Sequence, residues 1–187
     1  MSTKDKILAS LFSSVTARTA GFNTIDTAYL TSSSKLLTVA LMFIGGSPGS
    51  TAGGMKTTTV AVLTSTAVSV FRRNENPELF KRRIAPETVA NAASILMMYL
   101  SLCLSGAFLI SRIEELPMMA CMFETASAVG TVGLSFGITP GLGSISRIIL
   151  IILMYLGRVG GLTLIYAALS GHRIRFGKYP LEKITVG

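Results

Sequence analysis

The chain has 187 residues, half of them hydrophobic, with 14% charged and a net charge of +8. An ordinary soluble domain is about a quarter charged, and soluble basic proteins that hold nucleic acid are rich in charge, so no nucleic-acid partner is expected. An apolar chain with a basic excess points to a membrane protein whose positive residues lie in cytoplasmic segments.

From the N-terminus, "KILASLFSSV" predicts a short helix, and no apolar core of signal-peptide length precedes it. It leads into Arg18-Thr19-Ala20-Gly21-Phe22 and then the apolar run "LLTVALMFI". Next comes "GGSPGSTAGGMKTTT" (45–59), which resembles a phosphate-binding loop. Gly49 and Gly54 have the separation of G-x-x-x-x-G-K-[ST], but Met55 intrudes between Gly54 and Lys56. A nucleotide-hydrolysing site also needs an acid at the end of an apolar strand to hold Mg²⁺. Glu124 is the one candidate, and it leads instead into "TASAVGTVG".

The segment "RRNENPELFKRR" (72–83) holds five basic residues, and "HRIRFGKYPLEK" (172–183) holds four. Both read as cytoplasmic, which makes 72–87 a linker and 172–187 a tail. Between them, 88–111 carries no charge and 148–170 carries only Arg158. Each is long enough to cross a hydrocarbon core about 30 Å thick as a helix. The first runs outward, 112–117 turns, and the second returns. Segment 118–145 therefore starts and ends outside: "MMACMFETASAV" is a helix too short to cross, and "GTVGLSFGITPGLGS" is an extended return. Such a re-entrant hairpin is tolerated only where it is buried in protein or lines water. Cys103 and Cys121 are far apart in apolar surroundings and read as free thiols.

The chain matches itself at an offset of 112. Thr19-Ala20-Gly21 falls on Thr131-Val132-Gly133, and Leu41 to Gly45 falls on Leu153 to Gly157. The repeated unit is an outward helix, a short re-entrant helix, a T-x-G loop and an inward helix. The second copy (88–171) is complete, and the first (1–71) lacks its outward helix. One and a half units cannot surround an axis, so the chain reads as a fragment or as part of an assembly. Dehydrated K⁺ needs a cage of oxygens, and ring-like arrays of backbone carbonyls at glycine-containing loops supply one.

"TARTAGFNTID" (16–26), "GGSPGSTAGGMKTTT" (45–59), "FETASAVGTVGLS" (123–135) and "YLGRVGG" (155–161) together resemble the Trk/Ktr/HKT superfamily of K⁺ transporters, most nearly the KtrB-type membrane subunits of bacterial Ktr systems. The resemblance implies an all-α integral membrane protein, not an enzyme, holding most of a third pore unit and all of a fourth. It implies a selectivity filter at Arg18, Thr19, Ala20, Gly21, Phe22, Gly130, Thr131, Val132, Gly133 and Leu134, with K⁺ held by backbone oxygens. It implies an intramembrane gate of Gly45, Gly46, Ser47, Pro48, Gly49, Gly53, Gly54 and Lys56 beneath that filter. Arg158, which the offset sets against Gly46, joins the gate and is expected to meet loop carbonyls. Arg18 and Glu124 are expected to pair and support the filter loops. Lys56 is either a further gate charge or a side chain reaching cytoplasmic water.

The transported ion would be K⁺, with Na⁺ a second candidate, and no covalent cofactor is implied. The implied partners are a second copy in a homodimer, a cytosolic KtrA-like ring of nucleotide-binding regulatory subunits, and the bilayer of the cell membrane. The competing readings are a non-conducting membrane fragment or accessory subunit, and a P-loop nucleotide-binding protein.

Overall fold

The computed structural model describes residues 2–160 except Glu75. The predicted tail (172–187) and the end of the inward helix (161–170) lie outside the described residues. Six helices and one small hairpin follow in chain order: α1 (Thr3–Thr16), α2 (Ser32–Phe43), α3 (Thr57–Phe71), β1 (Glu78–Leu79), β2 (Arg82–Arg83), α4 (Pro86–Glu114), α5 (Met118–Val129) and α6 (Ser144–Val159).

Local chemistry sets the helix ends. The backbone N–H of Ser2 donates to Asp5 Oδ2 at 3.1 Å before α1, and Thr31 Oγ1 accepts the N–H of Ser34 at 3.3 Å before α2. Pro86 opens α4, where its missing N–H costs nothing. Left-handed Glu115 (φ +54) stops α4, three residues beyond the predicted end of the crossing stretch. At about 1.5 Å per residue, the 29 residues of α4 extend about 43 Å. Among the described residues α4 alone is long and apolar enough to cross a bilayer; α2, α3 and α5 are shorter apolar helices.

The core forms around α5. From Ala120 to Val129 only Met122 escapes full burial. One cluster joins α5 to α4 and α6 through Tyr99, Ala107, Ile110, Val129, Leu150 and Leu153. A second joins α5 to α2 through Phe123, Ala126, Val39 and Met42. The return from α4 is fastened at Glu114, whose Oε1 accepts from Ser146 Oγ (2.5 Å) and Gly143 N (2.9 Å). It thereby takes up donors at the start of α6 that the helix itself leaves free. Ile148, Ile151, Ile152 and Tyr155 of α6 remain exposed.

The predicted linker has secondary structure of its own, and the predicted helix before the loop forms. Segment 72–87 contains the β1–β2 hairpin, with Glu78 opposite Arg83 and Leu79 opposite Arg82. The apolar run before the glycine-rich loop is helix α2, so the strand of a phosphate-binding fold is absent there. Short 3₁₀ turns at Thr27–Tyr29 and Thr139–Gly141 start 112 residues apart, as do α2 and α6 at Ser32 and Ser144.

Candidate functional site

The two T-x-G loops leave the C-termini of α1 and α5 with the same change of hand. Thr19 (φ +68) and Gly21 (φ +75) are left-handed, as are Thr131 (φ +52) and Gly133 (φ +90). Left-handed residues flanking Ala20 and Val132 preclude both helix and strand, so these carbonyls join no ladder.

The amide directions fix where the carbonyls face. The N–H groups of Ala20 and Gly21 both return to Thr16 O, at 3.1 and 3.2 Å. Those of Thr131 and Val132 return to Ala128 O (3.1 Å) and Ser127 O (2.9 Å). In a trans peptide the C=O points opposite to the N–H it shares a plane with. The carbonyls of Thr19, Ala20, Gly130 and Thr131 are therefore turned away from the helix ends. Phe22 differs, because its carbonyl accepts the hydroxyl of Thr16 at 2.8 Å. The loops meet directly: a Cβ built on Gly21 would collide with the carbonyl oxygen of Val132.

Glu124 organises the residues that follow the second T-x-G. Its side chain, 5% exposed, accepts from Ser135 Oγ (2.7 Å) and Phe136 N (2.8 Å) at Oε1, and from Thr139 Oγ1 (2.9 Å) at Oε2. The expected Arg18–Glu124 pair does not form. Glu124's oxygens are engaged within its own loop, and Arg18 is exposed. The first loop region reaches this network another way, with Thr27 Oγ1 donating to Ser135 O at 2.5 Å. Residue type alone does not mark Ser135, Thr139 and Thr27 for this role, although Thr27 and Thr139 share the 112-residue offset.

The glycine-rich loop is pinched at its base. Gly45 N donates to Met55 O (2.7 Å), Met55 N to Phe43 O (3.1 Å), and Thr57 N to Gly46 O (3.1 Å). Met55, the residue that spoils the phosphate pattern, is 4% exposed and packs into the core at this neck. Within the loop Lys56 Nζ donates to Ala52 O (2.7 Å) and Ser50 O (3.1 Å). From α6, Arg158 Nη1 donates to Thr51 O at 2.5 Å. Three successive carbonyls are thus held by two cations. Gly46, opposite Arg158 in the repeat register, is not the residue it bonds.

The far side of the loop rests on the second T-x-G. A Cβ at Gly53 would collide with Thr131 Oγ1, and that hydroxyl is buried without a hydrogen-bond partner among the described residues. Ser47, Pro48 and Gly49 lie toward the tip, where a Cβ at Gly49 (φ +83) would meet nothing within 4 Å. A cavity of about 710 Å³ runs from the Glu124 network to the loop's partner, lined by Glu124, Thr131, Gly133, Ser135 and Arg158 among others.

Residues 1–173 match the family described as TrkH, cation transport protein. The chain belongs to the TrkH family of cation transport proteins.

The family is one of membrane transport proteins, not of enzymes, which removes the P-loop reading; Lys56 is engaged by its own loop, not presented to a phosphate. The chain is 39% identical to the potassium/sodium uptake protein NtpJ of Enterococcus hirae, over 98% of its length and 42% of that protein. It is 37% identical to the Ktr system potassium uptake protein B of Bacillus subtilis, over 98% of its length and 41% of that protein. It spans about two fifths of the length of these relatives. The crystal structure of the potassium transporter TrkH from Vibrio parahaemolyticus superposes with a TM-score of 0.73 at 24% identity, over 89% of this chain and 38% of that one. That likeness concerns the fold.

Proposed function

We propose that this chain supplies two neighbouring units of a K⁺-conducting pore, the first partial and the second complete. The shared offset of the T-x-G loops, the 3₁₀ turns and the following helices supports the duplication. Carbonyls of Thr19, Ala20, Gly130 and Thr131 are the candidate filter ligands, and two further units would complete the ring. Both named relatives are uptake proteins for potassium, one of them also for sodium, so K⁺ is the first candidate ion and Na⁺ the second.

The observation that carries the gate is the position of the loop 45–56. It is wedged between the filter residue Thr131, against Gly53, and Arg158, through Thr51. A loop there obstructs ion passage, and two cations hold it in place. Displacing it would open the path and leave the Thr131 hydroxyl to meet the ion. Likeness to a Ktr-system protein supports the remaining assignments: a second copy of the membrane subunit, a cytosolic KtrA-like nucleotide-binding ring, and a cytoplasmic side at 72–87 and at the tail.

The decisive test removes Pro48–Gly53, which shortens the loop and keeps the neck bonds of Gly45, Gly46, Met55 and Thr57. K⁺ or Rb⁺ flux into proteoliposomes should rise. Flux that is unchanged or lost in a well-folded deletion would contradict gating.

A further inference from the structure

The hairpin between α3 and α4 has no part in the proposed pore, yet its geometry is specific. Its turn residues Phe80 and Lys81 are both left-handed, with φ +50 and +62. Two-residue hairpin turns of this hand ordinarily use asparagine and glycine, because a Cβ is disfavoured there. Phe80 is also 92% exposed, so its ring adds nothing to the core.

The hairpin's direction is fixed by two hydroxyls of α3. Ser69 Oγ donates to Asn76 O at 3.0 Å, and Ser65 Oγ donates to Glu78 O at 2.7 Å. As the chain advances from 76 to 78 it therefore runs back along α3, from its end toward its middle. Continuing to Phe80 adds about 6–7 Å of strand, which matches about four residues of helix. The turn is drawn toward the level of Val62. There Val62 lines one groove with Thr88 and Ala92, near the start of the spanning helix α4. The tip is thus set at the edge of the apolar zone and does not project away from it. Lys81, Arg82 and Arg83 are exposed beside it, and Arg72 and Arg73 are exposed at the end of α3. Of the acidic residues described there, Glu78 stands opposite Arg83.

We propose that this hairpin is a docking element for anionic phospholipid, with the Phe80 ring seated at the headgroup–acyl boundary and the Lys81–Arg83 cations on lipid phosphates. An exposed aromatic ring beside basic residues at membrane-interface depth is the chemistry such a surface takes. It explains why a strained turn presents phenylalanine. The inference rests on α4 crossing the bilayer, though not on which end faces the cytoplasm.

The chain contains no tryptophan, so F80W is a single reporter in the otherwise native protein. It is reconstituted into nanodiscs of phosphatidylcholine alone or with phosphatidylglycerol, whose leaflets have the same composition. A failure therefore tells against docking and leaves the orientation of 72–87 untouched. The expected result is a blue-shifted emission and quenching by brominated lipid chains in the anionic discs. Both should be lost when Lys81, Arg82 and Arg83 are changed to glutamine, and reduced at high salt. Emission and quenching that are the same in the two lipids, or that survive the glutamine changes, would overturn the proposal. So would a reporter that stays in water in every disc and is buried only when a protein subunit is added. Circular dichroism of F80W checks that the helices are retained; should F80W unfold, Leu79→Trp on the adjoining strand carries the same comparison.

Discussion

Arg158 Nη1, near the end of α6, reaches the carbonyl of Thr51 at 2.5 Å and ties together residues 107 apart in sequence. A hydrogen bond from a charged donor is worth about 1.5–3 kcal/mol, which corresponds to a ten- to hundred-fold change in an equilibrium. Arg158→Gln removes the charge and shortens the reach. If the loop gates as proposed, it should then leave this position more often, and K⁺ flux should rise by about ten-fold or more. Initial rates of Rb⁺ uptake in proteoliposomes check this, and unchanged rates would count against the contact as a latch.

Lys56 holds the carbonyls on either side of Thr51, through Ser50 and Ala52. Lys56→Met should raise flux in the same direction. Because the two cations grip one short segment, their effects should not add. A cycle of Lys56→Met, Arg158→Gln and the double change should give a coupling of about 0.5–3 kcal/mol in the flux ratio. Zero coupling would mean that the two residues act on different steps.

The two glycines of the proposed filter should differ in what replacement does. Gly133 is left-handed (φ +90), but a Cβ there finds Gly21 Cα at an ordinary 3.7 Å. Gly133→Ser therefore mainly strains the backbone, by about 1–2 kcal/mol, and should raise Na⁺ permeation relative to K⁺ in a folded protein. Gly21→Ser meets the same strain and also a collision with Val132 O. It should lower the midpoint of thermal unfolding more than Gly133→Ser does. The reverse order would show that the loops do not touch as described.

Glu124→Ala leaves three donors without their acceptor: Ser135 Oγ, Phe136 N and Thr139 Oγ1. Each such bond to a charged group is worth about 1.5–3 kcal/mol, so a loss of several kcal/mol is expected. K⁺/Na⁺ selectivity should fall with it. Arg18→Gln should do neither, and the double change should equal the sum of the single ones. Thermal unfolding and bi-ionic flux measure both, and a coupling of about 1 kcal/mol or more between Arg18 and Glu124 would restore the ion pair that the geometry rejects.

Much of this arrangement can be read along the chain, because hydrophobic runs and glycines act locally. The stretch from Met118 to Val129 is apolar, bounded by Pro117 and Gly130, and forms α5 over those residues. The spacing of the two T-x-G motifs foreshadows paired left-handed turns. The partners of individual polar groups were less legible. Arg18 and Glu124 look complementary on paper, yet nearby hydroxyls of Ser135 and Thr139 satisfy the carboxylate without ordering a long side chain. Lys56 looked undecided between water and the gate because its acceptors are backbone carbonyls, which no residue letter announces. The hairpin is illegible for a similar reason: Phe80-Lys81 is not a turn dipeptide, and only the serine hydroxyls of α3 reveal where the chain goes.

The equal start points of α2 and α6, 112 residues apart, have a consequence for how such a gate arises. At one matched position the first stretch has Gly46 and the second has Arg158. The first gives its carbonyl to Thr57 N at the neck of the glycine-rich loop, and the second gives its guanidinium to the same loop at Thr51 O. One register position thus bears on a single loop twice, once through backbone and once through a side chain.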